Sequence, residues 1–162
     1  MLHRTILLAG AMLALSSCDT MLAPPAPPPP GPIEPATTSP LTLSTATKAP
    51  FGTYVTDGAG RAVYVLEGTR GMSGINACSG MCINMWPPVP APPLPTGGSG
   101  LSPPALRTIS GFMGAQISYS GWPLYYYSHD MAPGDTTGQG VHDQWGTWYL
   151  IRPSGEPITP HY

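Results

Sequence analysis

Residues 51–162 predict a mostly β fold: a small antiparallel β domain built from two hairpin-containing repeats with long Gly/Pro-rich loops. Three observations carry that prediction. The chain has 20 glycines and 23 prolines in 162 residues, and they interrupt every stretch that would otherwise continue as a helix. Short runs rich in Tyr, Trp, Val and Ile lie between those interruptions, as strands require. The two hairpins that these runs form resemble each other, which suggests a duplicated unit.

The N-terminus is read as a targeting segment. His3 and Arg4 form a basic start, and Ile6 to Leu15 an apolar run of about ten residues, too short for the ~20 of a permanent span. Leu15-Ser16-Ser17-Cys18 has the form of a lipobox, with a signal peptide over residues 1–17 and Cys18 as the lipidated new N-terminus. Each buried acyl CH₂ contributes about 0.8 kcal/mol, so a diacylglyceryl group holds far better than one chain. The membrane, through this anchor, is the first expected partner. Asp19 resembles the residue that retains enterobacterial lipoproteins in the inner membrane, which points to its periplasmic face.

Residues 18–50 are expected to be a disordered Pro/Ser/Thr-rich tether. Pro24 to Pro32 favours polyproline II, and Thr37 to Ala49 has little apolar surface to bury. Fully extended, such a spacer reaches on the order of 80–100 Å.

The domain proper is assigned to residues 51–162, with degenerate repeats at about 53–88 and 105–153 joined by a Pro/Gly-rich loop. Tyr54-Val55-Thr56, the turn Asp57-Gly58-Ala59-Gly60, and Arg61 to Leu66 read as one hairpin. Pro87 to Pro104 contains eight prolines and is expected to lack regular structure. Leu106 to Ile109 reads as a strand before a second hairpin, in which Gln116 to Tyr119 turns through Ser120-Gly121-Trp122-Pro123 into Leu124 to Tyr127. Thr147 to Ile151 closes the domain and Pro153 ends it. Between residues 51 and 162 stand four arginines, no lysine and six acids, too few cations for a nucleic-acid surface.

Candidate chemistry is confined to two loops. With Cys18 lipidated, Cys78 and Cys82 remain as a pair. In an oxidising compartment they form a disulfide, which needs Cβ atoms closer than the ≈5–6 Å of residues four apart on a helix; Gly80 permits the required bend. The alternative is a Cys-x-x-x-Cys redox or copper site, with Met72, Met81 and Met85 near in sequence as soft ligands. The second loop carries His129-Asp130, Asp135 and His142-Asp143. It is read either as turn-fixing aspartates or as a weak metal or acid–base set including His129 and His142. No nucleophile stands with a base in a recognised motif, so an enzyme is not expected, and no cofactor is called for. Tyr125 and Tyr127 share one strand face and Tyr126 the other; one set packs in the core, and the other either pairs across strands or joins Trp122, Trp145 and Trp148 as an exposed aromatic platform.

Tyr125-Tyr126-Tyr127-Ser128-His129-Asp130, with Ala132-Pro133-Gly134-Asp135 and Gly138-Gln139-Gly140 after it, resembles the secreted-repeat lipoproteins and their Tyr-x-aromatic-x-x-Asp signature. Asn76 to Cys82 with Trp86-Pro87-Pro88, Asp57 to Arg61, and Gly146 to Tyr149 are similar to other parts of that family, so the resemblance covers about residues 54–153. The first motif copy departs from it: Tyr64-Val65-Leu66-Glu67-Gly68-Thr69 has leucine for the aromatic and threonine for the aspartate. The resemblance implies an envelope lipoprotein with Tyr125, Tyr127 and Asp130 as motif residues, and implies no reaction. A non-catalytic module binding an envelope protein or cell-wall component is the expected function, with the Cys78/Cys82 redox or copper accessory as the alternative.

Overall fold

The computed structural model describes residues 42–160. The signal peptide, Cys18, Asp19 and most of the tether lie outside the described residues. The chain divides into two units, residues 1–37 and 38–162, and every described residue falls in the second.

The second unit is mostly β, as expected. Its strands are β1 (Thr42–Lys48), β2 (Gly52–Asp57), β3 (Tyr64–Leu66), β4 (Thr96–Gly97), β5 (Leu106–Gly111), β6 (Gly114–Tyr119), β7 (Trp122–Pro123), β8 (His142–Asp143) and β9 (Gly146–Leu150). They form three small sheets, ordered β2-β1-β4, β3-β9-β8 and β5-β6-β7. All pairings are antiparallel except that of β1 with β4. Among the described residues no helix is long and apolar enough to cross a membrane.

Four expectations are corrected. The tether was assigned through residue 50, yet residues 42–48 form β1, which pairs along its length with β2 from Leu43↔Asp57 to Lys48↔Gly52. Its threonines suit a pleated strand, and Leu43 is fully buried. The first hairpin is also looser than read: β2 pairs regularly with β1, and meets the chain before β3 through the single Thr56↔Ala62 bridge, made by Val63 N–H to Val55 C=O (3.3 Å) and Asp57 N–H to Arg61 C=O (2.9 Å).

Third, the proline-rich segment is not wholly irregular. Its prolines at 88 and 90 alternate with Val89 and Ala91, whose N–H groups donate to the carbonyls of Leu124 and Ala115 (2.9 Å each). Proline is tolerated because no donor is needed at its own positions. β4 and a 3₁₀ turn at Pro103–Ala105 follow. Fourth, two single-turn helices occur, α1 (Gly74–Ala77), capped by Ser73 accepting from Asn76 N–H, and α2 (Cys82–Met85).

The second hairpin is tighter than predicted. Ser120 (φ 49°) and Gly121 (φ 84°) make a two-residue turn with positive φ at both central positions, the twist that suits flanking antiparallel strands. Tyr119 then pairs with Trp122.

The interior is two buried clusters, and the central strands feed both by alternation. Tyr64 and Leu66 of β3 point into one cluster and Val65 into the other. Trp148 and Leu150 of β9 join the first, as does Tyr125, while Leu124 and Ile151 join the second. Tyr64 and Tyr125 exchange both backbone hydrogen bonds (2.8 and 3.0 Å). Around that pair, bonds of one half have counterparts in the other: Val63 to Val55 and Leu124 to Ile117, Val55 to Ile151 and Ile117 to Val89, Glu67 to Thr147 and Ser128 to Met85. Trp86 and Trp148 stack face to face, centroids 4.0 Å apart and planes 9° apart.

Candidate functional site

Cys78 and Cys82 form a disulfide, with Cα atoms 5.5 Å apart. The bend lies where expected: Cys78 caps α1 in an extended conformation, Gly80 adopts φ 59°, and Cys82 begins α2. Both cysteines are buried beside Trp86. With each sulfur bonded to the other, neither is a thiolate ligand. Met81 is exposed, and Met85 Sδ accepts a hydrogen bond from Ser128 Oγ at 3.3 Å.

The motif residues divide between core and loop. Tyr125 is fully buried, and its hydroxyl donates to the Gly74 carbonyl at 3.2 Å; burial pushes its pKa up to about 12. Tyr127 is half-buried, stacks on Trp86 with centroids 4.4 Å apart, and meets His129 Nδ1 at 3.0 Å through its hydroxyl. Asp130 closes the loop. Its Oδ2 accepts from the Tyr64 hydroxyl (2.6 Å) and its Oδ1 from Thr137 N–H (2.9 Å) and Thr137 Oγ1 (2.6 Å). Burial first, and Asp130 second, raise the Tyr64 hydroxyl far above the usual phenol range. The Thr69 hydroxyl donates to the Leu66 carbonyl at 2.8 Å.

The remaining loop acids accept donors from within the domain. Asp135 accepts from the N–H groups of Met131 and Ala132, and Asp143 from Trp145 N–H and Trp86 Nε1. His129 and His142 lie apart in role: His142 Nδ1 meets Thr147 Oγ1 at 3.0 Å. Among the described residues no group of three or more His, Cys, Asp and Glu is placed to hold a metal ion. The aromatic-platform alternative is corrected, because Trp122, Trp148 and Tyr125 are all buried and cross-strand packing consumes them.

Sequence reasoning did not bring Arg61 and Tyr126 together on Asp57. Asp57 is fully buried as a side chain and takes four donors: Ala59 N–H and Arg61 N–H on Oδ1, Arg61 Nε and the Tyr126 hydroxyl on Oδ2. The guanidinium lies over the Tyr126 ring with Cζ 4.0 Å from its centroid. Burial, then the Asp57 charge, raises the Tyr126 phenol. The signal available in sequence was the Asp57-Gly-Ala-Gly-Arg61 turn, in which an aspartate fixing its own backbone sits four residues from a cation. These residues open onto a cleft of about 240 Å³ whose walls include Arg61, Pro87, Tyr126, Tyr127, Ser128 and Asp130. Each half of the domain supplies part of it.

No curated protein and no solved structure matches the chain. The first half, where the resemblance was also drawn, lies outside the family match that follows. Residues 108–152, which hold Tyr125, Tyr127, Asp130 and Trp148, match the family model described as a secreted repeat of unknown function, and the match supports an exported protein.

Proposed function

We propose that this chain is an exported, lipid-anchored envelope protein whose β domain is a non-catalytic binding module built from two copies of one unit. The observation that carries the reading is the secreted-repeat match over residues 108–152, downstream of the Leu15-Ser16-Ser17-Cys18 lipobox. Asp19 favours the periplasmic face of the inner membrane. The Cys78–Cys82 disulfide suits an oxidising compartment. The paired hydrogen bonds of the two halves and the Trp86–Trp148 stack support the duplication, with the first copy extending back through β1. Binding is favoured over catalysis because the loop carboxylates are spent on holding backbone and tyrosine donors, while a cleft stays open beside them.

Metabolic labelling with a fatty acid and detergent-phase partitioning test the anchor. The native chain is expected to carry label at Cys18 and enter the detergent phase, and Cys18→Ser to do neither. An exported, unlabelled chain cut downstream of Cys18 would show that the lipobox is not used. Asp19→Ser is expected to shift the protein between membrane fractions; no shift would remove the reason for preferring the inner membrane.

A further inference from the structure

We propose that the cleft beside Arg61 takes a carboxylate-bearing ligand on the outer edge of the guanidinium; this rests on the binding-module reading and names its ligand class. Arg61 is placed before any ligand arrives. Its Nε is held by buried Asp57 at 2.8 Å and its plane by the Tyr126 ring, yet its side chain is 50% exposed. Preorganisation of this kind lowers the cost of binding. Bracing the Asp57 turn requires only Nε. The Nη1/Nη2 edge, the geometry a planar carboxylate matches with two hydrogen bonds, is left without a carboxylate of its own.

The acids nearby do not compete for that edge. Asp57 has four donors and Asp130 three, all from within the protein. Their charges do set the valence of the ligand. Arg61 and Asp57 offset each other and Asp130 adds a negative charge, so the guanidinium edge holds the ligand by hydrogen-bond geometry and not by net charge, and a monoanion is repelled less than a dianionic phosphate. Ser128 stands at the cleft with its hydroxyl on a thioether, a weak acceptor that a ligand oxygen would displace. At about 240 Å³ the cleft is smaller than a drug-sized pocket and suits one terminal group, either a sugar acid or the C-terminal residue of a peptide.

The test is titration of the mature, full-length chain in detergent, followed by NMR at Arg61 Nε–H and the Tyr127 and Ser128 amides. The probes are glucuronate and acetyl-alanyl-alanine, their neutral amides, and inorganic phosphate. One of the two acids is expected to move these signals, with its amide at least about tenfold weaker; which acid binds identifies a sugar or a peptide source. Arg61→Lys, which keeps charge and loses the fork, is expected to weaken the acid by about tenfold as well. The comparison of acid with amide stands on the native protein should that variant fail to fold. Equal binding of acid and amide, tighter binding of phosphate, or no response to either acid at about 50 mM would overturn the proposal. Ser128→Trp, which fills the cleft from an exposed position, separates this from the broader reading. If neither acid binds but Ser128→Trp abolishes cross-linking to envelope components, the binding module stands and the carboxylate assignment falls.

Discussion

The Tyr64 hydroxyl donates to Asp130 Oδ2 across 2.6 Å, joining a tyrosine of β3 to the aspartate of the family-matched segment. The motif aspartate therefore reaches across to the other half of the domain, and Thr137 holds it there through Oδ1. Tyr125, the other tyrosine of the backbone pair with Tyr64, donates to the Gly74 carbonyl instead.

Asp130→Ala strands a buried phenol and a backbone donor together, and is expected to cost about 2–3 kcal/mol. Tyr64→Phe removes the donor to Asp130 and the acceptor of the buried Gly138 N–H (3.3 Å), and should cost about 1–3 kcal/mol. Because the two residues share one bond, the double variant should lose less than the sum. Urea denaturation of the four proteins checks this. Strict additivity would mean that the bond contributes nothing to stability.

Gly138 lies against the same tyrosine. A Cβ at this position would stand 2.9 Å from Tyr64 Cζ and 3.1 Å from Trp86 Cη2, and neither ring has room to retreat, since both are fully buried. Gly138→Ala is expected to destabilise by about 1–3 kcal/mol through overpacking. Gly134→Ala in the same loop meets nothing within 4 Å, but its φ of 84° makes it strained by a different route. Thermal midpoints, with near-UV circular dichroism reporting the Trp86–Trp148 stack, separate the two. Only Gly138→Ala should alter the aromatic signal.

What the sequence revealed and what it hid follow from how far each signal reaches. The Ser120-Gly121 turn, β5 and β9 were legible because each strand is set by its own alternation and bounded by its own turn residues. β1 was not, since Thr42-Leu43-Ser44-Thr45-Ala46-Thr47-Lys48 has one large apolar residue and is ordered by pairing with β2. The strand-like behaviour of residues 87–91 was hidden by prolines that happen to occupy positions needing no donor. At the site, Tyr125, Tyr127 and Asp130 were found through a motif and Tyr64 through its degenerate counterpart, but the contacts of Tyr64 and Thr137 with Asp130 were not legible, because they span 66 and 7 residues. The role of Arg61 was not legible because a single arginine after a turn carries no pattern; its importance comes from the buried Asp57 and the ring of Tyr126.

Closing a loop as short as residues 78–82 stabilises by about 2 kcal/mol in the chain-entropy description. Cys78→Ser/Cys82→Ser is therefore expected to lose roughly that amount while keeping its sheets, whose hydrogen bonds do not pass through the disulfide. Denaturation with and without reductant checks the magnitude. Cu(I) titration of the reduced native protein bears on the alternative reading: uptake lost in Cys78→Ser, with the fold intact, would favour a copper-handling role over a structural bridge.

Alkaline pH acts on the buried phenols. Tyr64, Tyr125 and Tyr126 are all raised above the ordinary value of 10.0, chiefly by burial, and Tyr125 reaches about 12. A phenol that holds its proton more tightly when folded contributes stability fully present below its unfolded pKa and lost as pH rises through the folded one. For Tyr125 that window runs from about 10 to about 12. Stability is thus expected to be unaffected by these three groups through neutral pH and to fall steeply above pH 10, with Tyr64 and Tyr126 extending the loss beyond the Tyr125 window. Tyrosinate absorbance should show Tyr64, Tyr125 and Tyr126 ionising only as the fold opens. Tyr126→Phe should lessen the alkaline loss by removing one of the three. A single smooth tyrosinate transition near pH 10, with the sheets still intact, would show that these hydroxyls are not held as the Asp57 and Asp130 contacts imply.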